Sequence, residues 1–285
     1  MKNIHTVRVV LFVAILIFLA NFQDLVPTAI LNKKIEPIII SWTLGVSAII
    51  IALITRLPLK GLGWSLSFKW IAIGWIVPIL YTTVAYSLCW TLGLGHVPNT
   101  SFLENSKLIF GMETENYILL IATSFLYITI VQLLPNMLFC FGEELGLRGF
   151  LVPEVTKWVS FQNVGWITGV VWLLWYLPRI INGDFAIEGI PIWYQLFCFA
   201  LLLISTSIIL TFLRMKSKSI WPAVTFHAVH NSLINNFFDK LTVDNGMTWL
   251  FLGEFGIILG IVTSIFAAFF YFSFRKIDSL KFDMP

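Results

Sequence analysis

Residues 193–213 read WYQLFCFALLLISTSIILTFL, 21 consecutive positions without a charge, and the next five residues bring in Arg214, Lys216 and Lys218. A bilayer core of about 30 Å is crossed by about 20 helical residues, so this stretch is long enough to span a membrane with a basic end outside the hydrocarbon. Working outward from it, seven more apolar runs bounded by charge or turn residues cover 9–22, 38–54, 70–92, 118–141, 164–177, 220–238 and 249–274. The first and fifth are the shortest. The expectation is an all-α, polytopic integral membrane protein with about eight transmembrane helices in one bundle, a single membrane domain over residues 1–285.

Composition excludes the other classes. Of 285 residues, 58% are hydrophobic and 12% charged, against about 45–50% and about 25% in soluble domains. A mean hydropathy of +0.89 is too high for a disordered chain. A net charge of +3 is too weak to imply a nucleic-acid partner. The implied partner is the lipid bilayer. With the N-terminus inside, thirteen of the 18 Lys and Arg fall on the inner side, and Lys33, Lys34, Lys107, Arg179 and Lys240 on the outer side. That asymmetry supports an even number of crossings with both termini cytoplasmic. The first run follows Lys2 and Arg8 as in a signal peptide, but no small-x-small site follows it, so a retained anchor is expected.

The longest outer loop, 93–116, is acidic and polar and has room for a short surface helix. Cys89, Cys140 and Cys198 fall inside expected spans and read as small buried hydrophobes, pointing neither to disulfides nor to a metal cluster. Trp42, Trp64, Trp70, Trp193, Trp221 and Trp249 lie near span ends, where aromatic belts form. Gly165 and Gly169 make a small-xxx-small pair that reads as a helix contact.

Ionisable groups at membrane depth cost at least ~2.5–3.5 kcal/mol each, so each one carries a functional hypothesis. Two clusters stand out. In Gly142-Glu143-Glu144-Leu145-Gly146-Leu147-Arg148, Glu144 and Arg148 are i and i+4 on one helix face, while Glu143 points about 100° away. A bidentate Arg148 would neutralise Glu144 and leave Glu143 in an apolar cavity as a general base or acid. The alternative is an interfacial ion pair at a helix end. In the seventh run, His227, His230 and Asn231 can share one face, and Asn235 and Asn236 extend the stripe as catalytic or helix–helix groups. Glu254 is expected at the interface.

Glu143-Glu144-x-x-x-Arg148, then an aromatic-x-x-x segment beginning at Trp172, then His227-x-x-x-Asn231, resembles the CPBP family. This family includes the CAAX proteases and bacteriocin-processing or Abi proteins, related to the type II CAAX prenyl endopeptidase. The resemblance spans about 135–238 and extends to Arg148-Gly149-Phe150-Leu151-Val152-Pro153, Trp193-Tyr194-Gln195 and Ser219-Ile220-Trp221-Pro222-Ala223. It implies that Glu143 activates water, that Glu144 and Arg148 hold it in place, and that His227 and Asn231 bind a metal or stabilise an oxyanion. The family's middle motif ends in His, where this chain has Tyr176. Tyrosine is a poor zinc ligand near neutral pH, so a divalent metal such as zinc would need His230 to replace the missing imidazole beside His227.

The resemblance thus implies an intramembrane metallo-endopeptidase that cuts a membrane-associated peptide or lipidated protein near the cytoplasmic face. The competing reading is a catalytically degenerate homologue that scaffolds a membrane partner or serves lipoprotein or lipid modification. A transporter is the third reading, without the paired broken helices that would support it.

Overall fold

A computed structural model describes residues 2–22 and 36–275. Twelve α-helices follow in order: α1 Lys2–Phe22, α2 Glu36–Ile54, α3 Phe68–Thr91, α4 Thr100–Phe110, α5 Tyr117–Leu126, α6 Leu133–Glu144, α7 Val152–Val155, α8 Phe161–Ile181, α9 Ile192–Ser217, α10 Trp221–Asn231, α11 Asp239–Leu241 and α12 Ile257–Arg275. Three π-helical turns, Tyr127–Val131, Leu145–Leu151 and Ser232–Phe238, join α5 to α6, α6 to α7 and α10 to α11. Among the described residues the only β contact is an isolated bridge between His96 and Val243. The all-α expectation holds. Lys33, Lys34, Lys276, Lys281 and both chain ends, on which the terminal orientation depended, lie outside the described residues.

Against the expected eight crossings, the described residues hold three or four helices that qualify by length and composition. Phe68–Thr91, Phe161–Ile181 and Ile192–Ser217 are long and apolar enough to cross a membrane, and Tyr117–Val131 with Leu133–Val155 adds a fourth if that pair is one span. Ile4–Leu19, Ile38–Ile54 and Ile257–Ser273 are shorter apolar helices. Exposed apolar side chains such as Phe68, Ile118 and Leu134 cover the outside, as lipid contact requires. The chain is an integral membrane protein.

Three boundaries differ from expectation for local reasons. The fourth run bends by 46° after Val131, because Pro135 offers no N–H to the carbonyl four residues back and crowds it. The fifth continues through Pro178 to Ile181. The eighth starts at Ile257 instead of 249: Trp249 lies in a 3₁₀ turn, and Gly253 takes a φ of +75° that ends any continuous helix there. The loop 93–116 does hold a surface helix, α4. There Lys107 sits 3.1 Å from Glu104 and 2.9 Å from Glu115, and hydrogen bonds to these two carboxylates raise its pKa.

α9 and α10 form the buried centre. α8 and α12 pack on α9, while α3 and α6 pack on α10. As expected, Gly165 and Gly169 are helix contacts: a Cβ there would lie 2.8 Å and 2.9 Å from the Cα atoms of Ile208 and Ile204 on α9. The three cysteines are free and buried.

A second close contact positions the candidate site. A Cβ on Gly142 would lie 2.7 Å from Trp42 Cα, and one on Gly146 2.6 Å from the Leu44 backbone. α2 therefore presses backbone to backbone against the turn that carries Glu143 and Glu144. Gly146→Ala is expected to lower thermal stability by about 1–3 kcal/mol through overpacking. Gly61→Ala, where an added Cβ meets nothing within 4 Å, should leave it unchanged. Paired melting curves check the contrast.

Candidate active site

Successive positions on a helix turn by about 100°, so the glycine face on α2 sends Glu143 towards α8 and Glu144 towards α10. Glu144 and Arg148 are fully buried, and Glu143 is 4% exposed. Although 145–151 winds as a π turn, the i,i+4 pair forms: Arg148 Nη1 donates to Glu144 Oε1 at 3.0 Å. It is a single contact, not the expected bidentate one. The wider winding turns the guanidinium over the Trp172 ring, 4.5 Å from its centroid. Arg148 Nε and Nη2 and Glu144 Oε2 make no hydrogen bond.

His227 Nδ1 meets the same oxygen, Glu144 Oε1, at 3.0 Å. Two motifs more than 80 residues apart thus converge on one carboxylate atom. Glu143, expected to stand free, accepts from Trp172 Nε1 at 2.8 Å and has Ser41 as a second hydrogen-bonding neighbour. Trp172 also lies edge-on to His227, with ring centroids 5.1 Å apart. It touches Glu143, Arg148 and His227 together and is the residue that sequence reasoning missed. The signal was present, since Trp172 opens the aromatic-x-x-x segment.

Beyond Trp172 lies a cavity of about 120 Å³, room for about four waters. Tyr176, His227, His230, Asn231, Asn235 and Glu254 supply its polar wall, along with Thr206. Tyr176 therefore shares a cavity with His227, and its ring stacks on Phe185 with centroids 5.2 Å apart. Glu143 does not line this cavity but sits behind Trp172. Glu254 accepts from Asn235 Nδ2 at 3.2 Å, because the late start of α12 leaves residue 254 in a turn over the cavity. Asn231 Nδ2 is 3.8 Å from Cys140 Sγ. The cavity lies towards the loops that follow α8 and precede α12. This is the end that loop charge predicts to be outer, whereas Arg148, whose carbonyl accepts from Arg214 Nε at 2.8 Å, lies towards the opposite end.

For a metal, the donors do not gather. His227 directs Nδ1 to Glu144 and His230 directs Nδ1 to the Tyr81 hydroxyl. Among the described residues no group of three or more His, Cys, Asp or Glu side chains is arranged to hold an ion. A three-ligand zinc site is not formed by these side chains as they stand.

Residues 123–233 match the family model described as "Type II CAAX prenyl endopeptidase Rce1-like". The matched segment contains Glu143, Glu144, Arg148, Trp172, Tyr176, His227, His230 and Asn231, and it supports the CPBP/CAAX-protease family read from the sequence motifs. Comparison with curated proteins finds no significant match.

Proposed function

We propose that this chain, Rce1-like over residues 123–233, is an intramembrane endopeptidase that hydrolyses a peptide bond of a membrane-associated peptide or lipidated protein. The observation that carries the reading is the convergence of Arg148 and His227 on Glu144 Oε1 beside a second buried carboxylate. Structural proteins have little reason to bury two acids, an arginine and an imidazole together at membrane depth.

In the proposed step Glu143 takes a proton from water as its oxygen attacks the carbonyl carbon. The water reaches Glu143 once the Trp172 indole, which separates Glu143 from the cavity at rest, turns aside. His227, oriented through Nδ1 by Glu144 and acting as the imidazolium so that Nε2 also carries a proton, and Asn231 donate to the tetrahedral oxyanion. Collapse breaks the C–N bond, and Glu143 returns the proton to the leaving amine. One oxyanion donor is worth about 10²–10³ in rate. Eight crossings with cytoplasmic termini complete the proposal.

Tyr176 favours the second reading, a degenerate homologue that binds a membrane partner or serves lipid modification, since it occupies the cavity where the family has an imidazole. Tyr176→His separates the two. For a weakened protease, restoring the imidazole raises both peptide cleavage and bound metal. For a binding protein, the change is neutral or harmful. Cleavage assays with metal stoichiometry on both versions decide, and no gain of either in the His variant removes the protease reading's support.

A further inference from the structure

At the end of the bundle opposite the polar cavity, a second cavity of about 310 Å³ is enclosed by α1, the turn before α3, the segment around α7 and the residues after α9. Its wall carries Arg8, Lys60, Lys157, Arg214 and Lys218 against a single carboxylate, Glu154.

That carboxylate is already committed. Glu154 meets His5 Nδ1 at 2.8 Å and Arg8 Nη1 at 3.4 Å, and Arg8 also donates to Thr55, from Nε to the hydroxyl at 3.0 Å and from Nη2 to the carbonyl at 3.2 Å. Arg214 is 3% exposed. It donates only to backbone, from Nε to the Arg148 carbonyl at 2.8 Å and from Nη2 to the Gly61 carbonyl at 3.3 Å. Gly63 makes room for it, since a Cβ there would lie 2.9 Å from the guanidinium carbon. Lys60, Lys157 and Lys218 stand exposed at the rim, and none forms an ion pair among the described residues.

Loop cations alone follow from orientation in a membrane. A cavity with a buried arginine and three free lysines around it is more than that, because uncompensated like charges held together repel and favour an incoming anion. Trp64 lines the cavity, and Leu66 and Phe68 follow it in the chain with exposed apolar side chains, the residue types that gather at a membrane–water boundary. Basic pockets of this kind suit phosphate-bearing headgroups. We propose that this cavity binds a phosphate-bearing anion, either the headgroup of an anionic phospholipid or a free inorganic phosphate compound.

The test uses the full chain in two settings: phosphatidylcholine nanodiscs with increasing phosphatidylglycerol, and detergent with increasing inorganic pyrophosphate. Melting temperature is the readout in both. Wild type shows a saturable rise with at least one probe. The combined variant Lys60→Gln, Lys157→Gln, Lys218→Gln needs roughly 100-fold more of that probe, and Lys60→Gln alone about 5-fold more, at about one surface-cation increment per lysine. The altered side chains are exposed, and the single variant covers the case in which the combined one folds poorly. Lys69→Gln, outside the cavity, titrates like wild type. A response to phosphatidylglycerol alone assigns a lipid headgroup, and a response to pyrophosphate assigns a free phosphate compound. No saturable response to either, or an equal response in the lysine variants, overturns the proposal.

Discussion

Glu143→Gln leaves abundance and melting temperature at wild-type values and lowers peptide cleavage by about 10²–10⁴-fold, the range for removal of a general base. The amide has the same shape, and its oxygen still accepts the Trp172 N–H that now holds the carboxylate at 2.8 Å. It lacks the capacity to take a proton from water. Packing is spared while the reaction is not, so expression and cleavage measured on one preparation separate the two effects. Full cleavage by this variant would remove Glu143 from the role of base.

Arg148→Ala is the largest expected loss of stability. The change strips a fully buried Glu144 of its guanidinium partner and leaves an uncompensated charge, at a cost of about 3–5 kcal/mol. It also empties the space over the Trp172 ring. Accumulation falls and the melting transition drops or disappears. Replacing both members, Glu144→Gln with Arg148→Met, should recover much of the abundance, because no buried charge is then left alone. It should not recover cleavage, since a neutral amide at 144 no longer offers His227 Nδ1 the negative charge that favours the imidazolium. Arg148→Ala accumulating like wild type would contradict a structural role for the pair.

Much of this site could be read from one-dimensional pattern. The i,i+4 spacing brings Glu144 to Arg148 even through a π turn, and His227, His230 and Asn231 share a cavity wall as helical periodicity requires. Which carboxylate His227 would meet was not legible, because the orientation of Glu143 and Glu144 is set by where α2 presses on Gly142 and Gly146. In the sequence Trp172 reads only as the start of a motif, since an indole N–H finds its acceptor, here Glu143, through tertiary packing. The start of the last helix was not legible, because apolar residues run on from 249 and hide the glycine turn that delays α12 to Ile257. His230 had no visible partner: Tyr81, on a helix 149 positions earlier, claims its Nδ1. The fold class followed from apolar run length, whereas the crossing count did not, because Pro135 breaks one run and three helices are short.

Hydrolysis itself is the most direct test of the central claim. Wild-type protein in proteoliposomes is incubated with a membrane-anchored peptide in heavy-oxygen water, and the products are weighed by mass spectrometry. The account predicts two new peptide ends, one heavy oxygen in the new carboxylate, and neither product with Glu143→Gln. Equal cleavage by the Glu143→Gln variant, or an intact peptide after incubation with folded wild-type protein, would contradict it.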